Sequence, residues 1–469
     1  MKTTFRSRFP SATLAAAIVL LLAGCLEKHV IWSPDGTRAA VIAKDGLHFC
    51  DPDGKLTPLL MPGVCAAAWL GDSQGLVVAR QRKAADWASI VQSIGPERAG
   101  KIEARAEADW KQWEKDGRWG VFPEVSGKRK DEPALNLFLC ENHGEALRAK
   151  LTAKNWNDFK SKEAVINDVM RARLVGDQVQ PGTVLHECLE NIDDIRISPD
   201  GRAVAFTTDT VADDESDCLL FLALIDTAGA SRVADRTAAN PDWAPDGRSL
   251  VYIQASGQKA KDDVRLATLV RREVMDDKGR IRIGEKAEEL AGMFFQDTDR
   301  VRCLRDGRIL FNAIELTLPV AGKDFPADEH ERLFALDLAR QATLVRMIPG
   351  ENQEKMPKRL AFFEVSPDEQ RVLVGDIDGD VSVLTLATGD VAQWQEAGEY
   401  NLWGAPVWRN SEEITYAERN PLIDGKKPAR KAEIILRKAV PGQGDKEKVL
   451  SRNWPDEMLE SVYTGSDRN

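Results

Sequence analysis

Seven stretches of this chain repeat one design: an apolar or Trp residue, a short turn of the Ser-Pro-Asp-Gly kind, and a second run of β-forming residues. They are Trp32-Ser33-Pro34-Asp35-Gly36 before AAVIA, Trp69-Leu70-Gly71-Asp72-Ser73 before LVVAR, Ile197-Ser198-Pro199-Asp200-Gly201 before AVAFTT, and Trp243-Ala244-Pro245-Asp246-Gly247 before LVYIQ. Cys303-Leu304-Arg305-Asp306-Gly307 before ILFNA, Val365-Ser366-Pro367-Asp368-Glu369 before VLVGD and Trp408-Arg409-Asn410-Ser411-Glu412 before ITYAE complete the series. Gly accepts positive φ and Asp bonds its own backbone, so Asp-Gly between two β runs marks a hairpin. Two more β runs follow most of these hairpins, as in LHFC then LTPLL, LLFLALID then SRVAD, and VSVLTLA then VAQWQ.

Four strands per unit, repeated, buries sheet faces only if each unit packs on its neighbours. The expected fold is all-β, a seven-bladed β-propeller over residues 31–455, with six blades as the alternative because the second, fifth and seventh repeats are degenerate. The motif resembles the WD40-like repeat of the TolB family and of the propeller half of prolyl oligopeptidases, over about residues 31–450. TolB carries a further α/β domain before its propeller, and residues 25–30 offer no counterpart, so its partners do not transfer wholesale.

The N-terminus reads as an export signal. Lys2, Arg6 and Arg8 precede an apolar run from Leu14 to Leu22 that is too short to span a bilayer comfortably. Leu22-Ala23-Gly24-Cys25 resembles a bacterial lipobox, which implies cleavage after residue 24, acylation of Cys25 and a short tether over 25–30. Leu26 rather than Asp follows the cysteine, which by resemblance to the enteric sorting rule favours the outer membrane, facing the periplasm. Loss of residues 1–24 removes three positive charges and no negative one, so the net charge falls from −11 to −14 over 445 residues. That disfavours nucleic acid as a partner. The remaining Cys50, Cys65, Cys140, Cys188, Cys218 and Cys303 match no zinc spacing; a Cys50–Cys65 disulfide and buried free thiols are both open.

Within a blade the Asp-Gly turns lie on one face, and the two-to-three loops and blade crossings on the other. The second face is generous. Insertions are expected at about 81–134 and 152–190 in blade two, near Asp213, Asp214, Glu215 and Asp217 in blade three, at 314–330 in blade five, and at 418–431 in blade seven with Lys426, Lys427, Arg430 and Lys431. Long excursions from a compact fold are usually functional or disordered. The blade-two insertions have helical patterns over Pro96–Glu114, with Gly117 as a stop, and over Asn157–Leu174. Trp87, Trp110, Trp113 and Trp119 are the candidate partner contact there; the alternative is that they glue helices to the rim. Residues 456–469 form a C-terminal tail.

Linear motifs for chemistry are weak. Gly71-Asp72-Ser73-Gln74-Gly75 matches a nucleophile-elbow string but occupies a hairpin, not a strand-to-helix turn. Asp376-Ile377-Asp378-Gly379-Asp380 lacks the spaced ligands of a calcium loop and reads as a turn. His186-Glu187-Cys188 reads as a solvated inter-blade loop. No catalytic residue, metal site or cofactor is assigned. The favoured function is a membrane-anchored lipoprotein that binds or scaffolds a protein or envelope polymer through its loop-rich face; the alternative is an envelope hydrolase or lyase with its site at the central channel mouth.

Overall fold

The computed structural model describes residues 28–454 apart from 122–130, 210–217, 239, 260–264, 278, 296–299, 315–330, 339–343, 358–359, 377–379, 396–403, 420–421, 424–426, 429–433 and 441–442. Cys25 and the expected tails and loops within those ranges lie outside the described residues.

The Ser-Pro-Asp-Gly repeat works as a self-contained hydrogen-bonding device. In the third repeat Ser198 Oγ donates to Asp200 Oδ1 (2.6 Å), and the same carboxylate accepts from Arg202 N at 3.1 Å. Ser198 Oγ also accepts from Ala203 N (2.9 Å), and Gly201 N closes the turn on Ser198 O at 2.8 Å. Ser33 with Asp35 and Ser366 with Asp368 repeat the serine-to-carboxylate bond, each at 2.6 Å. Gly36, Gly201, Gly247 and Gly307 hold φ between +66° and +88° at the fourth turn position, and in the second and sixth repeats, which lack that glycine, Ser73 and Glu369 adopt the same left-handed backbone (φ 59° and 58°). The turn geometry is therefore kept even where glycine is not.

Each turn joins the first two strands of an antiparallel four-stranded sheet. Sheet 1 is Val30–Trp32, Ala39–Ala43, Gly46–Cys50 and Met61–Pro62. Sheet 2 is Val64–Trp69, Gly75–Lys83, Val165–Val175 and Gln178–Cys188. Sheets 3 and 4 begin at Ile192 and Asp242 and are joined by one backbone pairing, Thr237 with Gln254. Sheets 5, 6 and 7 begin at Val301, Leu360 and Val407, and sheet 7 ends with Gln443–Trp454. First strands of neighbouring sheets touch one another around a common centre. The molecule is a β-propeller.

Between successive sheets lies an apolar cluster, and the tryptophan before the turn latches it. Trp69 Nε1 donates to Ile31 O (2.8 Å), Trp243 Nε1 to Arg196 O (2.9 Å) and Trp408 Nε1 to Glu364 O (3.0 Å), each the first-strand carbonyl of the preceding sheet. The ring closes without exchanging a strand. Trp32, Val41, Val407, Ala417 and Trp454 form the cluster between sheets 1 and 7. Trp32 Nε1 donates to Thr415 Oγ1 at 2.7 Å, Trp454 Nε1 to Gly54 O at 3.1 Å, and the Arg409 guanidinium lies 5.0 Å over the Trp32 ring. Gly54 is required there: at φ +85° a Cβ would stand 2.9 Å from both Leu450 and Ser451.

One expectation needs correction. Blade two has a single described insertion, residues 84–164, between Lys83 and Val165, which face each other as strand partners. The stretch 165–188, expected within a second insertion over 152–190, supplies the third and fourth strands of sheet 2. The helix expected over Asn157–Leu174 stops at Ser161, because Val165, Ile166 and Val169 are β-branched and are taken by the sheet. His186 likewise lies in a strand, not a solvated loop, 4.7 Å from the Phe221 ring; burial lowers its pKa to about 4. Ser73 sits in the hairpin as expected, its Oγ accepting from Asp35 N at 3.3 Å.

Two substitutions test this account. Gly247→Val places a β-branched side chain at φ +67°, where space is ample but the backbone is strained, and should cost about 1–3 kcal/mol in denaturant unfolding. Thr415→Val keeps the shape at the closing seam but leaves the buried Trp32 N–H unpaired, a loss of about 1–3 kcal/mol. A midpoint equal to wild type in either variant contradicts the turn or the seam, respectively.

Candidate functional site

Two features on the ring carry side chains that the turns and strands alone do not need. The first is the helical insertion. Helix α1 (Trp87–Ile94) is capped by Asp86, whose side chain accepts from Ser89 N; α2 (Pro96–Asp116) ends at Gly117 in the left-handed conformation; α3 spans Glu132–Lys150; and α4 (Ala153–Ser161) is capped by Thr152. The insertion leaves sheet 2 opposite the Asp-Gly turns, so it stands on the loop-rich face. It is fastened there by polar contacts. Arg82, a strand residue paired with Glu187 of the same sheet, also donates from Nη2 to Ser93 Oγ of α1 (3.0 Å), while Arg98 Nη1 of α2 bonds Glu190 Oε2 (3.1 Å), a carboxylate with only 4% of its side chain exposed.

The four expected contact tryptophans fall together in this insertion, mostly inside it. Trp87, Trp110 and Trp113 are buried in a cluster with Ile90, Ile102, Leu135, Phe138 and Leu139, and Trp119 packs against it partly buried. Trp87 Nε1 donates to Glu103 Oε1 (2.7 Å) and Trp113 Nε1 to Val121 O (2.7 Å). Trp110 stacks on His143 with centroids 4.2 Å apart, and Lys150 lies 5.4 Å over the Trp119 ring. Three of the four indoles thus hold the helices together and present no open face. The described residues of the insertion expose mainly charged, polar and alanine side chains, with Val121 the large apolar exception.

The second feature is absent from every linear motif. The residue just before the turn-flanking Trp position is, in order around the ring, Ile31, Ala68, Arg196, Asp242, Arg302, Glu364 and Val407; Ile31, Ala68 and Val407 pack into the clusters between sheets, whereas Arg196, Asp242, Arg302 and Glu364 lie close enough to act on one another's charge. Sheets 3 to 6 therefore contribute alternating charges, and sheets 7, 1 and 2 contribute apolar side chains. Lys28 Nζ reaches Glu364 Oε2 at 2.5 Å; about a fifth of each side chain stays open to water. Arg196 Nε bonds Asp194 Oδ2 (2.6 Å), Asp242 Oδ2 accepts from Cys303 N (2.8 Å), and Arg302 Nη1 donates to Val301 O at 2.6 Å. The electrostatics follow from burial opposed by neighbours. Burial lowers Lys28 to about 8 against the pull of Glu364, and lowers Arg302 to about 10 with help from Arg196. Burial also works to raise Glu364, but Lys28, Arg302 and Arg196 outweigh it and hold the carboxyl at about 2. Asp242 is raised by burial, which Arg302 and Arg196 do not fully offset. The signal was present in the sequence: aligning the seven turns and reading one column upstream gives the alternation directly.

A groove of about 670 Å³ opens between sheets 4 and 5, lined by Leu266, Met293, Phe294, Phe311, Phe334 and Val345 among others. It suits an alkyl or aromatic surface and brings no ionisable side chain from its described lining. The six cysteines after Cys25 are free thiols, so the Cys50–Cys65 pairing is not formed. Burial pushes the Cys50 thiol up to about 12 and raises Cys140, Cys188 and Cys303 as well, which makes them poor nucleophiles in the folded chain.

No known family profile matches the chain, and no curated protein matches it in sequence. Several solved structures align with it. TolB from Acinetobacter baumannii is 12% identical, over 80% of this chain and 78% of its own, with a TM-score of 0.37. The β-propeller domain of Cps50 (Swd1) from Myceliophteria thermophila is 11% identical over 84% of this chain and 94% of its own, with a TM-score of 0.43. Prolyl oligopeptidase B from Galerina marginata is 11% identical with a TM-score of 0.48; the match takes in 95% of this chain but 55% of the oligopeptidase. At these values the likenesses carry no argument about chemistry or partners, and the fold rests on the sheets themselves.

The charged layer has a pH signature. Glu364 ionises at about 2 in the fold against 4.5 when unfolded, so its contribution is complete above pH 4.5 and is lost as pH falls toward 2. Glu364→Gln should lower stability by about 2 kcal/mol or more at pH 7, because Lys28 and Arg302 lose their partner, and should flatten the acid limb between pH 4.5 and 2. Equal acid limbs in chemical denaturation at stepped pH contradict the pairing.

Proposed function

We propose that this chain is a lipid-anchored envelope protein whose seven-bladed propeller is a non-catalytic platform, and that it meets a protein or other envelope partner through the face that carries the helical insertion. The observation that carries this reading is the independence of that insertion. Its cluster takes Ile166 and little else from the sheets, while the inter-sheet clusters close the ring without it. The described helices of residues 84–164, which the ring does not need, cost conformational entropy, and a scaffold that holds them by Arg82 to Ser93 and Arg98 to Glu190 is the usual setting of a binding surface. The channel supports the non-catalytic part. Glu364 is committed to Lys28, and a carboxylate held ionised at about 2 is a poor proton donor or acceptor near neutrality. Export and anchoring rest on the Leu22-Ala23-Gly24-Cys25 lipobox, and Leu26 after the cysteine favours the outer membrane, facing the periplasm.

Because Lys83 and Val165 are paired across the hairpin, an Asn-Gly turn can replace residues 84–164 without moving a strand. The shortened protein should unfold cooperatively, within about 2 kcal/mol of wild type allowing for the loss of the Arg98–Glu190 pair, and should no longer recover envelope partners in crosslinking pull-downs. A folded deletion variant that recovers the same partners overturns the assignment of the contact face. Separately, Cys25→Ser should abolish palmitate incorporation and release the protein from membranes; undiminished label on the variant overturns the anchoring.

A further inference from the structure

The chain enters the ring at a fixed point. Lys28 Nζ is bound to Glu364 inside the channel, and the carbonyl of His29 accepts from Ile42 N at 2.8 Å, so the backbone is held from residue 28 onward. Val30–Trp32 then runs toward the Ser33–Gly36 turn, which places the entry on the opposite face, the one bearing the insertion. Only Leu26 and Glu27 lie between Cys25 and Lys28, and three residue steps span at most about 11 Å when fully extended. Four strands spaced about 4.8 Å apart put the rim of a sheet about 14 Å from its inner strand. A tether of that length cannot pass around the rim.

Charge is distributed to match. Residues 84–164 contain fourteen Lys and Arg against fourteen Asp and Glu, so the insertion is neutral and the remainder of the chain after residue 24 carries the whole −14. Where α3 meets α4, Arg148, Lys150, Lys154 and Lys160 are exposed and outnumber the nearby Glu145 and Asp158, since Glu163 is paired with Lys83 and Lys162 with Glu132. The insertion is thus neutral where the protein as a whole is acidic, so an anionic surface does not repel it.

Resting on the lipoprotein reading, we propose that the acyl anchor on Cys25 holds the insertion-bearing face of the propeller against the bilayer, so that α3 and α4 lie at the lipid headgroups while the Asp-Gly turns face away from the membrane. Any partner of that face then has to sit at, or in, the same membrane. The test uses full-length acylated protein in vesicles of phosphatidylethanolamine and phosphatidylglycerol doped with a headgroup nitroxide lipid. A fluorophore is placed on Lys154→Cys in the insertion or on Arg248→Cys beside a turn. Palmitate incorporation and vesicle flotation are measured on the same samples. The expected result is at least threefold stronger quenching at position 154 than at 248, a ratio that collapses toward one when twenty Gly-Ser residues are inserted between Leu26 and Glu27. Acylated, floating protein with equal or reversed quenching overturns the orientation while leaving the anchor standing. A ratio that survives the long linker overturns the short tether as its cause, and absence of both label and flotation overturns the anchor and the orientation together.

Discussion

A four-stranded sheet has two faces and no core of its own, and everything in this molecule depends on how each sheet covers its neighbour. The tryptophan ahead of the turn does most of that work at four positions. Its ring fills the wedge between sheets, and its N–H is satisfied by the neighbour, on a first-strand carbonyl for Trp69, Trp243 and Trp408 and on the Thr415 hydroxyl for Trp32. An indole buried without that bond would forfeit about 1–3 kcal/mol. One side chain thereby sets both the spacing and the register of adjacent sheets. Where the position is Ile197, Cys303 or Val365, packing continues without the latch, and other bonds appear: Cys303 N donates to the Asp242 carboxylate of the preceding sheet.

The same register that aligns the latches also aligns the channel. Because each first strand is fixed relative to its neighbours, the residue one step upstream of the latch falls in a single layer, and four consecutive members of that layer are charged. Bringing Arg196, Asp242, Arg302 and Glu364 out of water is expensive taken singly. Alternation around the ring is the arrangement that sets every charge between opposite ones, with Lys28 adding the cation next to Glu364. Compensation is incomplete, since Arg302 Nη2 has no partner among the described residues. An apolar plug of equal volume would often be as stabilising as such a set of buried charges, whereas removal of one partner leaves an uncompensated charge and is costly.

The fold was legible in the sequence because the turn is a local device. Ser198, Asp200 and Gly201 satisfy each other within five residues, so their string identifies a hairpin without knowledge of anything distant. The helix starting at Pro96 and stopping at Gly117 was legible for the same reason: its stop signal is local. What failed was what depends on partners far away in sequence. Whether Val165–Val175 is helix or strand is decided by Gly75–Lys83, some ninety residues earlier, and by the need of sheet 2 for a third strand. The alternating layer was in principle readable, but only by comparing equivalent columns of different repeats, since Arg196 and Glu364 share no local motif.

The tryptophans illustrate a limit of composition as a guide to function. A cluster of indoles in an insertion predicts a contact surface only if the insertion lacks a core of its own to build. Four short helices standing away from a sheet must bury something, and Trp87, Trp110 and Trp113 supply the largest area per residue available. The consequence is a module of helices with their own core, tied to the ring through the Arg98–Glu190 pair and the Arg82–Ser93 hydrogen bond more than through shared apolar surface. Such a module is free to vary its outer face without disturbing the propeller, and its outer face is charge-balanced where the ring is acidic. The insertion is therefore built from the inside by aromatic packing, while Arg148, Lys150, Lys154 and Lys160 stand exposed on its outside.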